Sequence, residues 1–149
     1  MVLSVQGVFG QSNGKKNLAP RQKGARRILV MDDEKLMLVL IERMLSRLGY
    51  AAVTVPDGRT AVSAYKTALD KGERFDAVIL DLTVPEGLSG LETMRLLKGI
   101  DPSVRGILSS GFDRNAELSK YEPYGFSGLL PKPYTLGELE AVLQSVFQG

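Results

Sequence analysis

Ala77-Val78-Ile79-Leu80-Asp81 is a run of four apolar residues closed by a carboxylate. It is continuous rather than alternating, as expected of a strand covered on both faces in a parallel sheet. Four other short runs accompany it: Ile28-Leu29-Val30-Met31, Ala51 to Val55, Val104 to Leu108, and Gly128-Leu129-Leu130. Amphipathic stretches lie between them. Met37, Leu40, Ile41, Met44, Leu45 and Leu48 recur at helical spacing and stop at Gly49, a helix C-terminal signal. Ala61, Ala64, Tyr65, Ala68 and Leu69 form a second stripe, opened by Asp57 as N-cap. Leu91, Met94, Leu96 and Leu97 predict a third helix ending near Gly99. A fourth, the least patterned, is expected from Asp113, and a fifth over Thr135 to Phe147. Five βα units in succession predict an α/β fold, a doubly wound (βα)5 domain with a five-stranded parallel sheet and right-handed crossovers.

The chain has 149 residues, enough for one domain. It contains no Cys and no His. A disulfide framework, a thiolate or histidine metal site, a Ser-His-Asp triad and a phosphorylatable histidine are therefore all excluded within it. Charge is unevenly spread. Residues 1–27 hold Lys15, Lys16, Arg21, Lys23, Arg26 and Arg27 and no acid, whereas all 17 acidic residues follow. Residues 1–25 read as a basic flexible linker or tail and 26–149 as the folded domain, acidic in balance. The basic tail is thus no nucleic-acid signature of the domain. The opening MVLSVQGVFG does not resemble a signal peptide, and no 18-residue apolar run exists to span a membrane.

In an open parallel sheet, ligands bind outside the carboxyl ends of the strands. Those ends carry Asp32-Asp33-Glu34, then Asp81, then Ser109-Ser110, then Pro131-Lys132-Pro133. Each alone has an ordinary explanation. Asp32 or Asp33 could cap the first helix, Asp81 or Ser109 could satisfy a turn, and Lys132 could sit on the surface. Together they point to chemistry, because carboxylates gathered on one edge repel one another unless a cation sits among them. Oxygen ligands without His or Cys favour Mg²⁺ or Mn²⁺, which keep waters and bridge to phosphoryl groups. Lys132 and Ser109 supply a positive charge and a donor for phosphoryl oxygens, and a carboxylate nucleophile gives an acyl phosphate.

These residues resemble the receiver domain of two-component response regulators. Ile28 to Glu34 looks like that family's first strand and acidic pair. Ala77 to Pro85, followed by Gly87-Leu88-Ser89-Gly90, looks like its phosphoacceptor strand and loop. Leu108-Ser109-Ser110-Gly111 and Leu130-Pro131-Lys132-Pro133-Tyr134 match its hydroxyl and lysine-proline steps. The resemblance covers about residues 26–147, and four motifs in order make it specific. The loops after Asp81 and Ser109 look most like receivers of hybrid sensor histidine kinases.

The resemblance implies a flavodoxin-like receiver fold with strand order 2-1-3-4-5. It implies Asp81 as phosphoacceptor, Asp33 as a direct Mg²⁺ (or Mn²⁺) ligand, Asp32 as a ligand through water, and the Thr83 carbonyl as a backbone ligand. Lys132 is implied to bind a phosphoryl oxygen, with the Lys132-Pro133 bond a candidate for cis, and Ser109 to be the switch hydroxyl. Thr83 and Gly111 occupy positions that influence hydrolysis in the family. Leu129 departs from the family, which usually has an aromatic switch residue there. The implied function is a cytoplasmic phosphoacceptor in a phosphorelay, not an enzyme in its own right. Its donor is a histidine kinase or histidine phosphotransfer domain, obligatory in a chain without His, and its target an output domain or protein. Direct nucleic-acid and membrane partners are not expected, and dimerisation through the face of the fourth and fifth units stays open. The alternative is a receiver-like interaction module that is never phosphorylated. A dehalogenase-type phosphatase is disfavoured by Thr83 where a second Asp is needed, and a flavodoxin by the missing phosphate loop after the first strand.

Overall fold

The structure, a computed structural model, describes residues 24–82, 87–111 and 117–148. Five strands form one sheet: β1 (Arg27–Met31), β2 (Ala51–Val55), β3 (Ala77–Asp81), β4 (Gly106–Ser110) and β5 (Phe126–Pro131). All neighbours pair in parallel, in the order β2-β1-β3-β4-β5. The expected topology is therefore the one observed.

Alternation along each strand decides which side chain meets which helix layer. Leu29, Met31, Val78, Leu80 and Leu108 point to one face and are buried beneath Ala61, Tyr65, Ala68, Met94 and Leu97. Those five belong to α2 (Gly58–Asp70) and α3 (Gly90–Ile100). Ile28, Val30, Ile79, Ile107 and Leu130 point to the other face, against Ile41, Leu45, Leu139, Leu143 and Val146. The latter come from α1 (Lys35–Arg47) and α4 (Leu136–Gln148). Burial on both faces explains why the strands read as continuous apolar runs.

Local signals set the helix ends. Asp57 caps α2, its Oδ1 accepting from the Thr60 amide at 2.8 Å. Ser89 and Glu92 form a reciprocal capping box at the start of α3. One expectation needs correcting. Among the described residues no α-helix joins β4 to β5. Two 3₁₀ turns, Leu118–Lys120 and Glu122–Tyr124, stand there instead. Pro123 lies in the second turn, and Gly125 ends it at φ +108°, a left-handed conformation suited to glycine. Asp113, the expected start of that helix, lies outside the described residues, as do the expected tail residues 1–23.

Candidate phosphoryl and metal site

Because every strand runs the same way, β1, β3, β4 and β5 deliver their last residues to one edge of the sheet. Asp32 follows β1, with its amide donating to the Val55 carbonyl at 3.2 Å. Asp81 closes β3 and pairs in register with Ser109 of β4. Lys132 follows β5, its amide donating to the Ser110 carbonyl at 2.9 Å. The Lys132-Pro133 bond is cis.

The charged side chains meet. Lys132 Nζ lies 2.8 Å from Asp32 Oδ2, 3.3 Å from Asp81 Oδ1 and 4.0 Å from Glu34 Oε1. One carboxylate oxygen from each of Asp32, Asp33 and Asp81 lies within 4.8 Å of the other two. Asp32 and Asp81 are each 5 % exposed, whereas Asp33 stands open to solvent at the rim. Asp32 Oδ1 also accepts from the Glu34 amide at 2.9 Å. That bond fixes Asp32 within the pocket rather than on the helix. Glu34 takes the N-cap position of α1 with no side-chain cap, so neither aspartate has the capping role considered above.

Burial pushes the Asp81 carboxyl up to about 6, with Asp32 and Asp33 adding repulsion against the opposing pull of Lys132. Burial alone would lower Lys132, but the hydrogen bond it donates to Asp32 and the charges of Asp81 and Asp32 hold its ammonium above the ordinary lysine value. Tyr134, half-buried just past the lysine, is raised by burial and by the fields of Asp32 and Asp81. Its nearness to the acids was not foreseen, and the sequence offered only its adjacency to Pro133 as a clue.

Ser109 is 3 % exposed, and its hydroxyl has no hydrogen-bond partner among the described residues. A buried hydroxyl without a partner costs about 1–3 kcal/mol, so it is poised for an incoming acceptor. Thr83 lies outside the described residues. The structure therefore brings together Asp32, Asp33, Asp81, Ser109 and Lys132. The double engagement of Lys132 by Asp32 and Asp81 was not anticipated; the sequence indicated only that these charges share one edge.

Three carboxylates beside the Lys132 ammonium form a hard-oxygen donor set suited to a divalent cation.

Comparison with known proteins agrees with this geometry. The family model described as the response regulator receiver domain matches residues 28–144. The transcriptional regulatory protein TcrA of Mycobacterium tuberculosis is 36% identical over 127 residues, covering 80% of this chain and 45% of TcrA. Response regulator MprA of Mycolicibacterium vanbaalenii is 33% identical over 122 residues, 82% of this chain and 50% of that protein. The chain thus spans about half the length of these curated relatives. Among solved structures, the receiver domain of a sensor histidine kinase from Pseudomonas aeruginosa, crystallised with magnesium in its active-site cleft, superposes with a TM-score of 0.72 at 26% identity. That match covers 85% of this chain and all of the other. With its sheet order, its acidic edge and a family match across nearly all of the folded unit, this chain belongs to the response regulator receiver domain family of two-component signalling.

Proposed function

We propose that the phosphoryl group is accepted by a carboxylate oxygen of Asp81, from a phosphohistidine on a partner protein. The observation that carries this reading is Lys132 Nζ seated between Asp32 and Asp81, with the oxygens of Asp33 alongside. A buried carboxylate flanked by a cation and by metal-ligating groups is an activated nucleophile. Oδ of Asp81 attacks phosphorus, the P–N bond to the donor imidazole breaks, and its electron pair returns to that nitrogen. The chain has no His, so the donor is a separate protein or domain, a histidine kinase or histidine phosphotransfer domain.

Asp33 and Asp81 would hold Mg²⁺ or Mn²⁺ directly and Asp32 through water, and the family resemblance adds the Thr83 carbonyl. Bound there, the cation supplies neutralisation of charge on the phosphoryl oxygens. Lys132 then exchanges Asp81 for a phosphoryl oxygen, and the unpartnered Ser109 hydroxyl donates to another. Turnover of a substrate is not its task, and the phosphorylated state is read by an output domain or protein. Among the described residues no helix is long and apolar enough to cross a membrane. A cytoplasmic setting is the one the family resemblance implies for such a relay. Origin in a hybrid sensor kinase rests on loop resemblance, and the unit is read as residues 26–149 behind a basic tail.

Incubation with acetyl phosphate and Mg²⁺ should place one hydroxylamine-labile phosphate on the wild-type protein and none on Asp81→Asn. Equal labelling of the variant overturns the assignment.

A further inference from the structure

Asp81 must hold its carboxylate in one place, yet its side chain hangs from the last residue of a strand. Something beyond the strand ladder has to fix that main chain. Leu82, the next residue, is gripped on both sides. Its amide donates to the Ser109 carbonyl at 2.9 Å, and its carbonyl accepts from the Gly90 amide at 3.3 Å. Gly90 opens α3 and is fully buried.

The approach is close enough to demand glycine. A Cβ built on Gly90 would lie 3.0 Å from the Asp81 carbonyl carbon and 3.1 Å from Leu82 Cα, and closer still to the Asp81 carbonyl oxygen. Every one of those neighbours is backbone, so no rotamer change can relieve the clash. Gly90 has no positive φ, hence conformational freedom is not the reason for it. The helix itself is held rigidly at this end by the Ser89–Glu92 capping box and by Met94 and Leu97 in the core.

We infer that Gly90 is a positioning residue for the phosphoacceptor: the first turn of α3 acts as a stop against the Asp81-Leu82 main chain and sets where the Asp81 carboxylate stands relative to Ser109 and Lys132. This rests on the reading of Asp81 as acceptor. Any side chain at position 90 pushes the Asp81 carbonyl away from α3 and rotates the carboxylate out of the cluster. Attack geometry is steeply sensitive to such shifts, since a displacement of about 1 Å costs about 100-fold in rate.

The test compares Gly90→Ala with Gly128→Ala in the full chain. Gly128 lies in β5, where an added Cβ meets Val142 Cγ2 at 2.9 Å and Val146 Cγ2 at 3.0 Å, away from the acidic edge. It supplies an overpacked but chemically remote control. Phosphorylation by acetyl phosphate with Mg²⁺ is followed against donor concentration, beside urea unfolding midpoints and amide NMR spectra taken without donor. For Gly90→Ala the saturating rate constant should fall by about tenfold or more while the half-saturating donor concentration stays within about threefold. The amide resonances of Asp81, Leu82 and Ser109 should move, those of β5 far less. Gly128→Ala should keep its rate within about twofold at a similar loss of midpoint. Rates that track stability equally in both variants overturn the inference, as does a Gly90→Ala protein that is unfolded or that reacts like wild type. Asp81→Asn run in parallel separates the two claims. Labelling of that variant removes Asp81 as acceptor, whereas the amide shifts still judge the position of its main chain.

Discussion

The most discriminating perturbation of the site is the removal of one charge without a change of shape, Asp81→Asn, read through stability rather than activity. In the absence of metal, the Asp81 carboxyl titrates near 6 instead of 3.8, chiefly because it is buried. An acid whose pKa is higher folded than unfolded stabilises the fold while protonated. That contribution is fully present below about pH 3.8 and is lost as pH rises through about 6. The shift of about two units corresponds to about 3 kcal/mol at neutral pH, reduced to about 1.5 kcal/mol once screening at the open rim is allowed for. Asparagine keeps the volume and never ionises. The variant should therefore be more stable than wild type at pH 7.5 in chelator, by about 1.5 kcal/mol or about 5 °C in Tm. The advantage should shrink to nothing by about pH 4, where the wild-type carboxyl is also neutral. Saturating Mg²⁺ should reverse the ranking, since a cation at 100 times its Kd adds about 2.7 kcal/mol to a protein that binds it. Thermal melts by circular dichroism between pH 4 and 8, in chelator and in Mg²⁺, measure all of this. A variant less stable than wild type at pH 7.5 in chelator, or a difference that ignores pH, refutes the picture of an electrostatically frustrated pocket.

Lys132→Met leaves Asp32 and Asp81 buried without their ammonium, and should cost about 3–5 kcal/mol at neutral pH in chelator. Mg²⁺ should restore part of that in urea titrations, and phosphorylation should remain impaired. At the opposite end of the sheet, Asp101 accepts from Tyr65 at 2.7 Å and from Arg74 at 3.1 Å. Burial pushes its carboxyl up, but the hydrogen bonds from Tyr65 and Ser103 and the Arg74 charge outweigh it and hold it below the usual range. This depressed group contributes stability above the ordinary carboxylate pKa that disappears as pH falls through its folded value. Asp101→Asn should cost about 1–3 kcal/mol at pH 7, with little difference from wild type in strong acid and no change in phosphorylation rate.

The sheet was legible because burial on both faces leaves an unambiguous mark, an uninterrupted apolar run. Edges of elements were less so. Val104 looked like the start of a strand, yet pairing begins at Gly106, since an apolar residue is equally at home in the buried turn before it. Helical periodicity located the stripes but not their margins. Leu40 and Leu96 fit the period and are 49% and 46% exposed, while Ile41 and Leu97 beside them are buried. The site residues were visible through topology, because a parallel sheet sends every strand's last residue to the same rim. Pairing within the rim was not visible. That Lys132 would reach Asp32 and Asp81 together, or that Gly90 would abut the Asp81 carbonyl, depends on contacts across 100 and nine positions of sequence that no local pattern encodes.

The departure at Leu129 bears on how such a site could signal. With no aromatic ring at that position, a switch that works by ring rotation has no moving part there. The remaining candidate for a moving part in the pocket is Ser109. Its hydroxyl is buried and unsatisfied among the described residues, and Lys132 is already committed to two carboxylates. On the proposed assignment, a phosphoryl group on Asp81 would change both balances at once. It would give the hydroxyl an acceptor and draw the ammonium from Asp81 toward the new oxygens. Ser109 belongs to β4, which pairs with β5 through Ser109 and Leu130, and Lys132 hangs from the end of β5. Any displacement of Ser109 and Lys132 toward Asp81 is therefore carried by two adjacent strands together. On this reading the readout face lies over β4 and β5, and it is driven by hydrogen-bond satisfaction and charge rather than by an aromatic lever.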